Sequence, residues 1–229
     1  MARLVGKDVS PRSIIEKQYE AIEIVKNILN QVGTHAVLFS GSPASTVLLH
    51  LIRTVKGGKI PLLVFHLELI KGFSEIYQYL GKMERLWEFK VIREKNERLL
   101  DRMEIDSTWD ELYGAHTRKP LNALFKKYRA THLFLPDYEK SQKEEMKGDS
   151  FRGLQGLTEV RPLIHFTIED VWNYIQKNNL PSCSLFKNEL EKVESDLAWR
   201  RPEGDTSQKN GTDTETLETA KKLKNLGYL

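Results

Sequence analysis

The stretch 36-AVLFSGSPASTVLLHL-51 decides how this chain is read. Ala36 to Phe39 form an apolar run with the length of a buried strand, and the residues from Thr46 onward open an apolar-faced helix. Ser40, Gly41, Ser42, Pro43, Ala44 and Ser45 lie between them, a turn of small residues. Two readings fit. In one, main-chain amides, hydroxyls and the positive end of the following helix gather the charge of a phosphate. In the other, this is a strand-to-helix turn capped by Ser45, with no ligand.

Outward from this stretch the chain alternates strands and helices. A long amphipathic helix is expected over Ser10–Gln31, capped by Ser10 with Pro11 in its first turn. Gly57 and Gly58 break the helix after the turn, and Ile60–Leu69 read as a second buried strand. Gly72–Met83 suit a helix with Phe73, Ile76, Tyr77 and Leu80 on one face, and Phe89–Arg93 a third strand. Thr117–Tyr128 give a further helix, His132–Leu135 a fourth strand and Val160–Phe166 a strand-like return. Thr167 and Asp170 make a capping-box-like pair ahead of a helix carrying Val171, Trp172 and Ile175. Strand, helix, strand order with short connections implies parallel pairing by right-handed crossover. The expected fold is therefore α/β: a doubly wound, mostly parallel sheet with helices on both faces. Ligands of such sheets bind beyond the carboxyl ends of the strands, which draws the segments after Phe39, Phe65 and Leu135 into one crevice.

Composition narrows the function classes. The 229 residues suit one domain, here drawn as 1–199, with a flap and short terminal helix at 200–229. Thirty-five basic against 32 acidic residues give a net charge of +3, too balanced for a dedicated duplex-DNA binder. Cys183 is the single cysteine, which excludes an internal disulfide and any CxxC site and favours a reducing compartment. With no signal-peptide pattern at the start and no membrane-spanning run, a cytoplasmic protein is expected, with neither nucleic acid nor membrane as partner. Residues 139–150 are almost wholly polar, the composition of an exposed loop.

Taken together, these blocks resemble the PP-loop nucleotide-binding superfamily, of the adenine nucleotide alpha hydrolase-like kind. Within it they are similar to the phosphoadenosine phosphosulfate reductases and the small subunit of sulfate adenylyltransferase. The resemblance rests on 39-FSGSPASTVLLHL-51, 63-LVFHLELIKGFSEIY-77, 116-HTRKPLNALFKKY-128, 137-DYEKS-141, 160-VRPLIHFTIEDVWNYIQKNNLPSCSLF-186 and 221-KKLKNLGYL-229. Its phosphate loop reads Ser-Gly-Gly-x-Asp-Ser. Here Ser40, Gly41 and Ser45 keep the pattern, while Ser42 replaces the second glycine and Ala44 the aspartate. Pro43 removes a main-chain donor, and Leu135 and Pro136 stand where the sulfurylase subunit carries two arginines.

The resemblance implies binding of ATP or another adenine nucleotide through Ser40, Gly41, Ser42, Ser45, Thr46, Leu67, Glu68 and Asp137. A magnesium ion would sit between Glu68 and Asp137, although no metal-ligand pattern marks one. It implies adenylyl transfer in sulfate assimilation, an anionic acceptor attacking the α-phosphorus, with Lys140 and Arg161 as catalytic cations. Arg161 could instead pair with Glu159 or Asp170, and Lys140 could be a solvated surface residue. Reductases of the family attack with a cysteine near the C-terminus, and none follows Cys183, which reads as a packed thiol. The sulfurylase subunit works with a GTPase, so a partner subunit or a homo-oligomer is implied. Two other readings stand beside this one: a non-catalytic nucleotide-binding or scaffold subunit with a degenerate loop, and an FAD synthetase-like FMN adenylyltransferase. His50, His66, His116 and His132 form no ligand set, and His50 reads as a packed histidine.

Overall fold

In the computed structural model, residues 13–68, 73–95, 119–138 and 157–187 are described. Lys140, the loop at 139–150, the flap at 200–216 and the terminal helix all lie outside them, as does His116. Helix α1 spans Ile14–Leu29, β1 His35–Leu38, α2 Pro43–Val55, β2 Leu63–Glu68, α3 Ser74–Trp87 and β3 Val91–Lys95. Helix α4 then spans Lys119–Tyr128, β4 His132–Phe134, β5 Thr158–Val160 and α5 Ile168–Lys177, before a 3-10 turn at Ser184–Phe186.

The five strands lie in the order β3-β2-β1-β4-β5, and every neighbouring pair is parallel. The order reverses between β1 and β4, where Val37 pairs with Phe134. In open parallel sheets this switch point parts the loops at the strands' carboxyl ends and makes a ligand crevice.

Strand periodicity sorts the core into two layers. Val37, Phe39, Val64, Phe134 and Val160 belong to a large cluster with side chains of α1, α2, α3 and α5. Ala36, Phe65, Leu67, Leu133 and Leu135 face the other way, onto Leu124 and Phe125 of α4. Helices thus cover both faces, the doubly wound arrangement expected. That α2 and α3 share one face while α4 takes the other follows from right-handed crossovers that run first to one side of β1 and then back.

Several boundaries differ from the sequence expectation. Helix α1 starts after Ser13, whose backbone is extended (φ −65°, ψ 154°), because Ser13 and Glu16 form a reciprocal capping box that Ser10 could not make. The last strand ends at Val160 and does not continue to Phe166. Pro162 has no N–H to donate, and the chain turns there with Ile164 N bonded to Arg161 O at 3.3 Å and Phe166 N to Leu163 O at 2.8 Å. Helix α3 runs on past Met83 to Trp87, and its buried face carries Ile76, Tyr79, Leu80 and Met83, with Tyr77 only half-buried.

Candidate functional site

The turn after β1 is built from its own hydrogen bonds. Phe39 extends the pairing of β1 with β2 by one bond, Phe39 N to Phe65 O at 2.8 Å, and His66 Nδ1 donates to Phe39 O at 2.9 Å. A carbonyl can only accept, so this bond places the ring proton on Nδ1. His66 is 1% exposed, and burial pulls its pKa below the ordinary value against the opposing effect of the Phe39 carbonyl. A neutral, oriented imidazole thus pins the last residue before the turn.

The cap of α2 is Ser42, not Ser45. Its backbone is extended (φ −68°, ψ 160°), its Oγ accepts from Ser45 N at 3.2 Å, and Pro43 occupies the first helical position, where a missing N–H costs nothing. Ser40 Oγ donates to Ser42 Oγ at 3.0 Å and accepts from Ser42 N at 3.3 Å. Ser45 Oγ donates to the Ser42 carbonyl at 2.8 Å, and Thr46 Oγ1 lies 3.0 Å from the same oxygen and 2.9 Å from the Tyr79 hydroxyl. The hydroxyls expected to meet a ligand therefore hold the turn itself. What the turn leaves open is main chain: the amides of Gly41 and Ala44 make no hydrogen bond among the described residues. Gly41 has φ +87°, a left-handed conformation that suits glycine.

The two carboxylates expected to share magnesium are kept apart. Glu68 ends β2 on the far side of β1 from β4 and shares a cleft of about 570 Å³ with Tyr77, Arg93 and Glu94. The Tyr77 phenol is pushed up by burial first and by the neighbouring Glu68 carboxylate second. Arg93 is held by Glu84 at 2.7 Å, with Glu84 also accepting from Val91 N at 2.8 Å.

Asp137 follows β4, and Arg161 follows β5. Arg161 Nε lies 2.8 Å from Asp137 Oδ2, an ion contact without the alignment of a linear hydrogen bond, and its terminal nitrogen donates to Glu159 at 2.9 Å. Asp170 is not its partner, since it pairs with Lys17 of α1 at 2.6 Å and caps Thr167 N. Burial pushes the Asp137 carboxyl up, opposed by the Arg161 guanidinium. Among the described residues no group of three or more His, Cys, Asp or Glu side chains is placed to hold a metal. Leu67 turns its side chain into the α4 layer, leaving its main chain on the stretch of β2 that outruns β1.

Other sequence readings stand. His50 packs between Trp87 and Tyr174, with Nδ1 2.9 Å from the Tyr174 hydroxyl. Trp172 is 1% exposed, and Cys183 is buried with its thiol pushed up by burial. The residues that sequence reasoning missed are His66, Tyr77 and Tyr79. The first two are signalled by their closeness to Glu68 in the chain, whereas Tyr79 carries no sequence signal beyond its helical position.

The phosphoadenosine phosphosulfate reductase domain pattern matches this chain over residues 34–193, from the residue before β1 to just past the 3-10 turn. The chain belongs to that family. It is similar to sulfate adenylyltransferase subunit 2 of Shewanella loihica, 26% identical over 212 residues, covering 76% of this chain and 67% of that protein. It is likewise similar to the subunit 2 of Allorhizobium ampelinum, 23% identical over 203 residues, covering 73% of this chain and 62% of the relative. The chain therefore spans about two thirds of the length of these curated relatives. Among solved structures, a phosphoadenylyl-sulfate reductase from Candida auris in a phosphate complex superposes with a TM-score of 0.57 at 15% identity, covering 81% of this chain and 95% of that one. FMN adenylyltransferase from Candida glabrata superposes with a TM-score of 0.51 at 15% identity, covering 79% of this chain and 62% of that one. At these identities the structures establish the PP-loop fold. No described helix is long and apolar enough to cross a membrane.

Proposed function

We propose that this family member binds an adenine nucleotide at the carboxyl ends of its strands, with the phosphates against the turn at 40–45. The observation that carries the reading is the pair of amides, Gly41 and Ala44, left without a hydrogen bond among the described residues where β1 passes into the amino end of α2, beside the sheet's switch point. The adenine ring would lie toward the stretch of β2 that ends in Leu67 and Glu68. Similarity to sulfate adenylyltransferase subunit 2 supports adenylyl transfer as the reaction: an anionic acceptor attacks the α-phosphorus and pyrophosphate leaves toward the turn. The chain's contribution is positioning and neutralisation of charge. Arg161 is the described cation for that task, with Lys140 as the second. Magnesium, if bound with the nucleotide, would take its ligands chiefly from phosphate oxygens and water, since Glu68 and Asp137 lie on opposite sides of β1. The relatives' designation as subunit 2 supports a partner subunit for this chain, and work in the cytoplasm is part of the same proposal.

A second reading has its own support. Arg161 is engaged by two carboxylates, Ser42 fills the position of a loop glycine with a capping side chain, and Pro43 supplies no amide. A subunit that holds a nucleotide without turning it over fits these features. Calorimetric titration with ATP, its nonhydrolysable α,β-methylene analogue, adenosine phosphosulfate and FMN, followed by a pyrophosphate-release assay with magnesium and sulfate, separates the readings. Binding with release supports transfer, and binding without release supports the second reading. Absence of any nucleotide binding contradicts both.

A further inference from the structure

Behind the turn, three separate elements meet at one buried point. Thr46 Oγ1 of α2 is 2.9 Å from the Tyr79 hydroxyl of α3, which lies 2.8 Å from the carbonyl oxygen of Pro181. Thr46 is 1% and Tyr79 4% exposed. The same threonine oxygen is 3.0 Å from the Ser42 carbonyl. Two hydroxyl protons thus serve three oxygen–oxygen contacts, and only two proton arrangements keep the Thr46–Tyr79 bond. In the first, Thr46 donates to Tyr79 and Tyr79 to Pro181, while Ser45 Oγ and Thr46 N satisfy the Ser42 carbonyl. In the second, Tyr79 donates to Thr46 and Thr46 to Ser42, and Pro181 O loses its partner. The first arrangement leaves every acceptor of the cluster with a donor, whereas the second strands the oxygen of half-buried Pro181, so the first dominates.

Tyr79 also touches the other end of the turn. A Cβ at Gly41 would stand 3.5 Å from Tyr79 Cδ1, and the ring packs against Phe39 with centroids 6.2 Å apart. One side chain therefore flanks Phe39 and Gly41 with its ring and holds the first turn of α2 with its hydroxyl. Burial keeps that hydroxyl protonated throughout the ordinary pH range.

We propose that Tyr79 is the positioning residue of the anion-binding turn, a strut that fixes the amides of 41–46 and ties them to the chain at Pro181. The inference rests on the nucleotide-site reading given above and adds a device to it. Displacement of the segment at 181–183, which packs against α3 through the following 3-10 turn, would pass through Tyr79 to the turn. Tyr79 acts through the turn and does not itself touch the ligand.

The test uses the full chain as Tyr79→Phe and Thr46→Val, with Phe125→Leu in the opposite core layer as a control of comparable thermal destabilisation. Two readouts are taken: amide hydrogen exchange at Ser45 and Thr46 without ligand, and affinity for ATP and inorganic pyrophosphate. Losing one buried hydrogen bond from the strut should raise exchange at these amides and weaken both ligands, each about five- to ten-fold, in Tyr79→Phe and Thr46→Val alone. Unchanged exchange in Tyr79→Phe overturns the strut, whatever the wild type binds. Equal exchange and affinity changes in Phe125→Leu also overturn it, because general loosening then suffices. A wild-type chain that binds neither ligand contradicts the nucleotide reading and overturns the affinity half of the proposal, while exchange still decides the strut.

Discussion

Replacing Gly41 by alanine separates conformation from space at the turn. The added methyl would find its nearest neighbours, Ile76 Cγ2 and Tyr79 Cδ1, at 3.5 Å each, which is ordinary van der Waals contact. The cost is therefore not a clash. It comes from φ +87°, a left-handed conformation that an L side chain adopts at a cost of about 1–2 kcal/mol. In a domain of this size each kcal/mol corresponds to roughly 2–4 °C in Tm, so a fall of about 2–8 °C is expected. If the turn relaxes to negative φ instead, the amides of Gly41 and Ala44 are re-aimed and ATP affinity drops, by about ten-fold for 1.4 kcal/mol. Gly57 is the matched control, with φ +62° at the far end of α2 and nothing within 4 Å of an added methyl. Gly57→Ala should lower Tm by a similar amount and leave ATP affinity unchanged. Thermal melts and calorimetric titration of the two variants provide the comparison. A Gly41→Ala variant that keeps both the wild-type Tm and the ATP affinity of Gly57→Ala would refute the claim that the backbone at Gly41 shapes a phosphate site, since the turn would then have relaxed without consequence for the ligand.

Three further outcomes are expected. Ser42→Gly should cost only a few tenths of a kcal/mol of stability, because glycine is tolerated at a helix cap, and should tighten ATP binding by clearing the side chain from the turn, with Ala44→Asp added to restore the family pattern; unchanged affinity in the single and double variants would show that the turn is not the phosphate site. His35, His50 and His66 are each held below the ordinary histidine value of 6.5 by burial, so the unfolded chain takes up protons that the native chain refuses. Stability is then complete above about pH 6.5 and declines as pH falls below it, a loss that melts between pH 7.5 and 5.5 would show and that should be smaller in His66→Gln. Cys183, 2% exposed with its thiol pushed up by burial, should resist a maleimide in the native chain and react fully once the chain is unfolded in denaturant; rapid native labelling would contradict the packed-thiol assignment.

Much of the fold could be read directly, for a physical reason. Apolar runs such as Ala36 to Phe39 and Leu63 to Leu67 have the length of buried strands, and the spacing between them leaves room only for crossover helices. Local competition between similar residues was harder to read. Ser10 and Ser13 both precede the first helix, and the glutamate three residues beyond Ser13 decides between them through the capping box. Ser42 and Ser45 pose the same choice, settled by Pro43 at the first helical position. Tyr77 and Tyr79 are two apart on one helix, and only packing against α2 and Pro181 shows that Tyr79 faces inward. The pairing of Arg161 with Asp137 was not legible at all. It joins the ends of two adjacent strands across an intervening segment, and charge alone made Glu159 and Asp170 equally good partners. The site's location was thus a consequence of topology, whereas its hydrogen-bond economy depended on contacts distant in the chain.

The central claim is that main-chain amides at the end of β1 receive a nucleotide's phosphates. The most direct measurement is a titration of the 15N-labelled chain with ATP, following each amide resonance. The largest shifts are expected at Gly41, Ser42, Ala44 and Ser45, saturating together, with pyrophosphate moving the same four. Saturable shifts confined to other parts of the chain, with these four resonances unmoved, would contradict it.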